Sequence, residues 1–420
     1  MLARALKILQ KRHSILQTTI ETAGLTYPEF QYLRQLSGIP LLSERRSTPN
    51  EWEKVLQKEL NTNFEPHLPL IRCTMLLPVS GTGGTDIILT ARADMVDLKS
   101  VTMLLSEVLE IYSEIMQNPS RELIVSKPRR IPPPTDTLLP PVPAPLLFLS
   151  HCFGLFKRHA FKLPDTLPHT NIPDRVPARK FGWTTKLIIR STPVEGTQEL
   201  VNSTSKKEIS LESLCFVAMM LATARTINQS NEKQNIRLWG ILMKDMRQME
   251  KRATRPDVGV LFSMLDFVCC FNGIAELQNT DRLWEEAKHV SAKIRSAINL
   301  GSHLSSMVFT EYISFFSSLY SKYFTSPSLC PSFGLQFIGN VDEKDNVQEF
   351  CFQHLQNNKI LKVESLAASN SSNTSFPLPT MTCYIQNGKL YSILSYSSET
   401  SSSNAMNLLM DEFTSILTSF

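Results

Sequence analysis

The chain has 420 residues, of which 42% are hydrophobic and 20% charged, the composition of an ordinary globular protein with room for one large or two medium domains. Its 43 basic and 39 acidic residues leave a formal charge of +4. This balance argues against a nucleic-acid-binding protein, in which basic residues cluster on one face. The eight cysteines show neither zinc spacing nor a Cys-x-x-Cys pair, so we expect no metal site and a reducing compartment.

The N-terminal segment lacks the apolar core of a signal peptide. The sequence also contains no apolar run of about 18 residues, the length a membrane-spanning helix needs. We therefore expect a cytoplasmic protein that does not span a membrane.

The first half of the chain alternates helical and strand patterns. Spacing of apolar residues predicts helices, and β-rich runs around a glycine-dense loop predict a hairpin. Asn50 is placed to cap the second helix, and Asp97 or Ser100 the third. The predicted elements are a helix over 2–13, a helix over 50–60, a hairpin over 70–92 and a helix over 100–112.

A proline-dense stretch follows, over about 128–145. Proline fixes φ and removes a hydrogen-bond donor, so this stretch is predicted to be neither helix nor central strand. We interpret it as a covering loop or a crossover between domains; the alternative is a polyproline ligand for a partner protein.

Strand and helix patterns alternate again in the second half. Asn387-Gly388 between two β-rich runs is a strong hairpin signal. The alternation predicts a layered α+β architecture. The predicted elements are strands over 184–190 and 236–243, helices over 211–225, 281–300 and 306–322, a hairpin over 381–396 and a final helix over 404–417.

Several local patterns, in this order, resemble the condensation-domain superfamily, which includes peptide-synthetase condensation domains, alcohol acetyltransferases and polyketide-associated acyltransferases. A first helix ends in Arg12-His13, and Glu59-Leu60-Asn61 with Phe64 precedes Pro69-Leu70 and Arg72. The helical segment around Trp284 and the last strand, over 390–396, are also similar to family elements. Members usually begin with a strand and loop ahead of this first helix, so the chain resembles an N-terminally shortened product.

The resemblance implies an α+β fold of two chloramphenicol-acetyltransferase-like lobes, with mixed sheets flanked by helices around a central tunnel. We expect an N-terminal lobe over 1–180, which includes the proline-rich crossover, and a C-terminal lobe over 181–420.

The family carries a His-His-x-x-x-Asp-Gly motif between the second hairpin strand and the following helix. Its second histidine acts as general base, which requires a side chain that titrates near neutrality. Matching Asp97 to the motif aspartate places Arg92 and Ala93 on the two histidines and Leu98 on the glycine. Ala93 has no group that accepts a proton, and Arg92 is always charged. Only the aspartate remains, and we interpret it as a helix cap or an ion-pair partner of an arginine such as Arg247.

Two other residues are weak candidates for the base. Asp94 is near the motif but could serve only if burial made its carboxylate more basic. His151, after the proline-rich stretch, could reach the tunnel only by an unusual path. No histidine lies between His67 and His151, so shifting the alignment does not restore the motif.

Three interpretations follow from the resemblance. The first is a pseudoenzyme that binds an acyl thioester, a lipid or a protein partner. The second is an active acyl-CoA-dependent O- or N-acyltransferase with a displaced base, for which acyl-CoA is substrate and no cofactor is required. The third is a protein-interaction scaffold whose tunnel is filled by side chains such as Met95 and Leu98, with the proline-rich segment as a further route to a protein partner.

Overall fold

The computed structural model describes residues 1–21, 29–32, 37–65, 68–120, 128–129, 131, 184–231, 235–245, 247, 258–272, 280–300, 331–342, 361–371 and 379–419. The chain divides into two compact units. Unit 1 comprises Met1–Pro133, Glu250–Leu261 and Val341–Ala368, and unit 2 comprises Pro134–Met249, Phe262–Asn340 and Ser369–Phe420. Two segments of the second half therefore belong to unit 1. The predicted boundary at residue 180 lies outside the described residues and stays a prediction, as does the tunnel.

In its described residues, unit 1 contains three α-helices and two small sheets. Strands β1 and β2 form an antiparallel hairpin, and the other sheet has the order β3-β4-β5, in which β3 and β4 are parallel and β4 and β5 antiparallel. The elements are α1 (Leu2–Arg12), β1 (Thr18–Glu21), β2 (Glu29–Tyr32), β3 (Leu41–Arg46), α2 (Glu51–Leu60), β4 (Ile71–Pro78), β5 (Asp86–Ala91) and α3 (Leu98–Gln117).

The helices of unit 1 follow their sequence signals, with one correction. Helix α1 buries its predicted apolar face, and it packs against α3. Asn50 precedes α2, but its side chain makes no capping bond. Instead the Glu51 carboxylate accepts the backbone N–H groups of Ser47 and Thr48, at 2.6 and 3.4 Å. The Glu51 carboxylate thus fixes the preceding turn to the start of α2, and the predicted side-chain cap by Asn50 is wrong.

The described strands of unit 2 form one six-stranded sheet of order β6-β11-β10-β9-β7-β8. Strand β9 runs parallel to both β10 and β7, and the remaining pairs are antiparallel. The elements are β6 (Thr185–Thr192), α4 (Val194–Lys206), α5 (Leu211–Asn231), β7 (Asn235–Asp245), β8 (Phe262–Asn272), α6 (Thr280–Leu300), β9 (Phe333–Asn340), β10 (Thr380–Gln386), β11 (Lys389–Ser397) and α7 (Ser403–Thr418).

Helix α5 is the centre of the unit 2 core. Every residue from Leu214 to Ala224 is at most 3% exposed, which is expected for a helix that is apolar on all sides. It packs against β7, β9, α6 and α7. Close approach to the sheet requires Gly240 on β7, because a Cβ there would lie 2.5 Å from the Phe333 ring and 2.7 Å from the Phe216 ring.

The predicted hairpin of β10 and β11 turns at Asn387 and Gly388, both with positive φ (49° and 69°), as a type I′ turn requires. The α+β class, with mixed sheets flanked by helices in two units, is confirmed. The predicted helix over 306–322 lies outside the described residues, as does the proline-rich stretch apart from 128–129 and 131.

Within the described part of the chain, no single helix has the length and apolar composition needed to cross a membrane, although α4 and α5, bent by 109°, pass that test as a pair.

Candidate functional site

The loop between β5 and α3 carries the residues that match the family motif. Strand β5 ends at Ala91, and the backbone N–H of Arg92 donates to the Leu70 carbonyl on the neighbouring chain segment at 2.9 Å. The N–H groups of Met95 and Val96 then return to the Arg92 carbonyl, at 3.0 and 3.2 Å. These bonds close one tight turn, which delivers Asp97 to the start of α3.

Asp97 is a buried structural carboxylate. Its Oδ1 accepts the Ser100 N–H at 2.7 Å and caps α3, and its Oδ2 accepts the Leu261 N–H at 2.8 Å. Its own N–H donates to the Gly259 carbonyl at 3.1 Å. Both oxygens therefore have backbone donors, and the helix-cap interpretation agrees with the structure. The ion pair with Arg247 stays a prediction.

Ser100 reinforces the same connection. Its hydroxyl donates to the Gly259 carbonyl at 2.8 Å and lies 3.0 Å from the Gly259 N–H, whose proton it accepts. Asp97 and Ser100 together hold the segment 258–261 against the start of α3 inside unit 1. We call these contacts the Asp97 clamp.

The two positions that match the motif histidines differ sharply from Asp97. Ala93 is exposed and ends in a methyl group. The Nε of Arg92 lies 2.9 Å from Oδ2 of Asp94, and the two side chains are 42% and 46% exposed. Asp94 therefore lies in an exposed ion pair and lacks the burial that the role of base requires.

Met95 and Leu98, on either side of Asp97, are 1% and 8% exposed. Leu98 is the first residue of α3, at the position that matches the motif glycine. Their predicted place in a tunnel stays a prediction.

The described histidines are His13 and His289, and neither lies in the loop between β5 and α3. His289 is exposed on α6. His13, at the end of α1, is buried, and its Nε2 lies 2.7 Å from Oε2 of Glu107 on α3. His151 lies outside the described residues, so its proposed role stays a prediction.

Glu107 is the centre of a buried charge cluster in unit 1. Nη1 of Arg12 lies 3.1 Å from Oε1 of Glu107, and Nη1 of Arg129 lies 4.0 Å from Oε2. Burial would raise the pKa of Glu107, but the hydrogen bond from His13, the charge of Arg129 and the hydrogen bond from Arg12 outweigh that effect and lower it. Backbone bonds from Arg129 to Arg12 and from Ser14 to Arg129 complete the cluster, so the Arg12-His13 pair has a structural use.

The second family-like pattern is also structural. Arg72 on β4 donates to the Glu59 carboxylate and to the carbonyls of Glu59, Thr62 and Asn63, which closes the C-terminal end of α2. The Thr74 hydroxyl donates to the other Glu59 oxygen at 2.6 Å. The pair of Glu59 and Arg72 thus fixes α2 against β4.

The sequence did not reveal that the segment 258–261 is the partner of Asp97 and Ser100. Ser100 had a local signal, because it lies in the first turn of a predicted helix. Gly259 and Leu261 had none, since they follow Asp97 by more than 160 residues and contribute backbone groups that any residue carries.

No protein-family model matches this chain, and no curated protein matches it. Solved structures do. The trichothecene 15-O-acetyltransferase from Fusarium sporotrichioides has a TM-score of 0.70 at 11% identity, over 99% of this chain and 86% of that one. The polyketide synthase associated protein 5 from Mycobacterium tuberculosis has a TM-score of 0.62 at 15% identity, over 100% and 90%. The epimerization domain of tyrocidine synthetase B has a TM-score of 0.58 at 14% identity, over 99% and 87%.

The chain has the condensation-domain fold. The recognition from sequence is thereby confirmed at the level of the fold. Within this fold, the segment that we matched to the family motif lies between a strand of an antiparallel pair and a helix, as the resemblance implied.

Proposed function

We propose that this chain is a pseudoenzyme with a condensation-domain fold, which binds an acyl thioester but does not transfer its acyl group. One observation carries the proposal: the position that matches the motif's general base is Ala93, an exposed residue. A methyl group cannot accept the proton of an attacking hydroxyl or amine. Loss of a positioned base removes about 10²- to 10⁴-fold in rate.

The residues around Ala93 do not supply a substitute. Arg92 is a permanent cation, and Asp94 lies in an exposed ion pair with it. Both oxygens of Asp97 accept backbone N–H groups. If the chain did transfer an acyl group, its base would have to come from elsewhere in the chain, and His151 is the residue to test.

The decisive experiment combines binding with turnover. The purified chain is titrated with CoA, acetyl-CoA and a longer acyl-CoA by calorimetry, and acyl transfer to small alcohols and amines is followed by thiol release. We expect saturable binding of the acyl-CoA and no turnover above the buffer rate. Turnover that His151→Ala or Asp94→Ala abolishes would establish a displaced base instead. Absence of binding would leave an interaction scaffold, to be tested with partner proteins of the proline-rich segment.

A restored histidine tests whether the base alone is missing. Ala93→His places an imidazole at the motif position, and Ala93→Asn is the control of similar size that cannot serve as base at neutral pH. Because Ala93 is exposed, we expect both variants to fold as the wild type does. Transfer by Ala93→His alone would support the assignment of this position, whereas transfer by both variants would contradict it.

A further inference from the structure

Three polar side chains lie together on the face of the unit 2 sheet opposite the core helices. Gln336 on β9 and Thr382 on β10 are direct register partners, so their side chains share one face. Their neighbours in sequence, Leu335 and Met381, lie on the other face in the helix-packed core. The Nδ2 of Asn370 donates to Oε1 of Gln336 at 2.8 Å. We call Gln336, Asn370 and Thr382 the polar patch.

The polar patch contains donor groups for which the described residues supply no acceptor. Thr382 is completely buried, and its hydroxyl has no hydrogen-bond partner among the residues that the structure describes. The bond from Asn370 uses the acceptor oxygen of Gln336, so beyond that bond the Gln336 amide offers N–H groups. A buried hydroxyl without a partner costs free energy and needs an explanation. A ligand that accepts hydrogen bonds here provides one.

The surroundings indicate what kind of acceptor fits. The patch itself contains no charged side chain. Its register neighbours on the same face are Met243 on β7, beside Gln336, and Ile393 on β11, beside Thr382. Phosphate and carboxylate groups favour cations or helix N-termini. Uncharged donors between apolar side chains suit the carbonyl oxygen of an amide or a thioester carried on an apolar chain.

From this placement we infer that the polar patch binds a carbonyl group of the acyl thioester ligand, through the Thr382 hydroxyl and the Gln336 amide. The inference rests on the proposed function for the ligand class, and it adds the residues that recognise it. The inference requires that the Thr382 hydroxyl stabilise the ligand-bound protein more than the free protein.

The test uses the full chain and two probes, hexanoyl-CoA and S-hexanoyl-N-acetylcysteamine; the second keeps the thioester and one amide without any phosphate. The variants are Thr382→Val and Gln336→Met, which remove the donors at nearly constant volume. The matched control is Ser392→Ala, which removes a buried hydroxyl from the adjacent strand, on the core face of the sheet. Dissociation constants and thermal midpoints are measured for each protein.

We expect each patch variant to weaken both probes by about 2- to 12-fold, the effect of losing one hydrogen bond to an uncharged group. The control should bind like the wild type. The thermal midpoint of Thr382→Val without ligand should not fall, because the substitution removes an unpartnered hydroxyl. If the Thr382 hydroxyl had only a structural role, Thr382→Val would lower the thermal midpoint and leave the dissociation constants unchanged.

Three results would overturn the inference. Wild-type affinity in both patch variants would show that the patch does not contact the ligand and would leave the proposed function intact. Weakening toward hexanoyl-CoA alone would place the contact on the nucleotide part of the ligand. Absence of binding by the wild type would refute the proposed function and the ligand of this site together.

Discussion

Replacement of Asp97 tests whether the residue that we matched to the motif aspartate is structural. Asp97→Ala removes the cap of α3, which costs about 1 kcal/mol, and the hydrogen bond that the Leu261 N–H donates to the other Asp97 oxygen. A hydrogen bond to a charged group contributes about 1.5–3 kcal/mol. We therefore expect Asp97→Ala to lower the free energy of unfolding by about 2.5–4 kcal/mol.

Asp97→Asn separates the two contributions. Asparagine is a good cap residue, but its amide nitrogen cannot accept the Leu261 N–H, so about 1.5–3 kcal/mol of the loss should remain. The control is Asp94→Ala on the same loop, where the exposed pair with Arg92 should contribute about 0–1 kcal/mol.

Urea unfolding gives the free energies, and hydrogen exchange of peptides that contain Ser100 or Leu261 gives the local effect. Faster exchange in both peptides is expected for Asp97→Ala, and chiefly in the Leu261 peptide for Asp97→Asn. If Asp97→Ala is no more destabilising than Asp94→Ala, or if exchange at Leu261 does not change, the Asp97 clamp is not a stabilising element and our reasoning about it is wrong.

Three further predictions concern the cores of the two units, and urea unfolding measures each. Glu107→Gln should lower the free energy of unfolding by about 3–5 kcal/mol. Because the folded-state pKa of Glu107 is lowered from 4.5, the contribution of its carboxylate to stability is complete above pH 4.5 and is lost as the pH falls through the folded-state pKa. The free energy of unfolding of the variant should therefore depend less on pH in that range. Arg72→Ala should cost about 3–5 kcal/mol because it leaves the Glu59 carboxylate buried without its guanidinium, and Arg72→Lys should recover only part, whereas full recovery would show that charge alone matters. Gly240→Ala should cost about 1–3 kcal/mol through the clash with Phe333, and a neutral result would mean that the ring moves freely.

Local signals allowed the sequence to predict most helices and the two long hairpins. The Asn387-Gly388 turn and the cap of α3 each depend on neighbouring residues, and the structure has both. Helix α4 and strand β8 were not predicted, although the side chains of β8 alternate between buried and more exposed positions.

Pairings between distant segments had no local signal. Strand β3 is short and largely polar, and it forms only by lying parallel to β4, where Leu41 pairs with Cys73. A parallel pair needs a long connection, so no turn sequence marks it. For the same reason the sequence could identify Asp97 as an anchor but not the segment that it anchors.

Asp97 and Ala93, which we matched to two positions of the family motif, differ in how strongly a substitution should affect folding. Asp97 has backbone partners on two segments, so a substitution there loosens both the start of α3 and the segment 258–261. Ala93 is exposed, so the side chain at that position can change at little cost to folding. A chain that no longer needs a general base can therefore lose the histidine and keep the aspartate. The combination of a buried, bonded Asp97 with an exposed Ala93 is therefore consistent with the proposed function, in which the fold is needed and a general base is not.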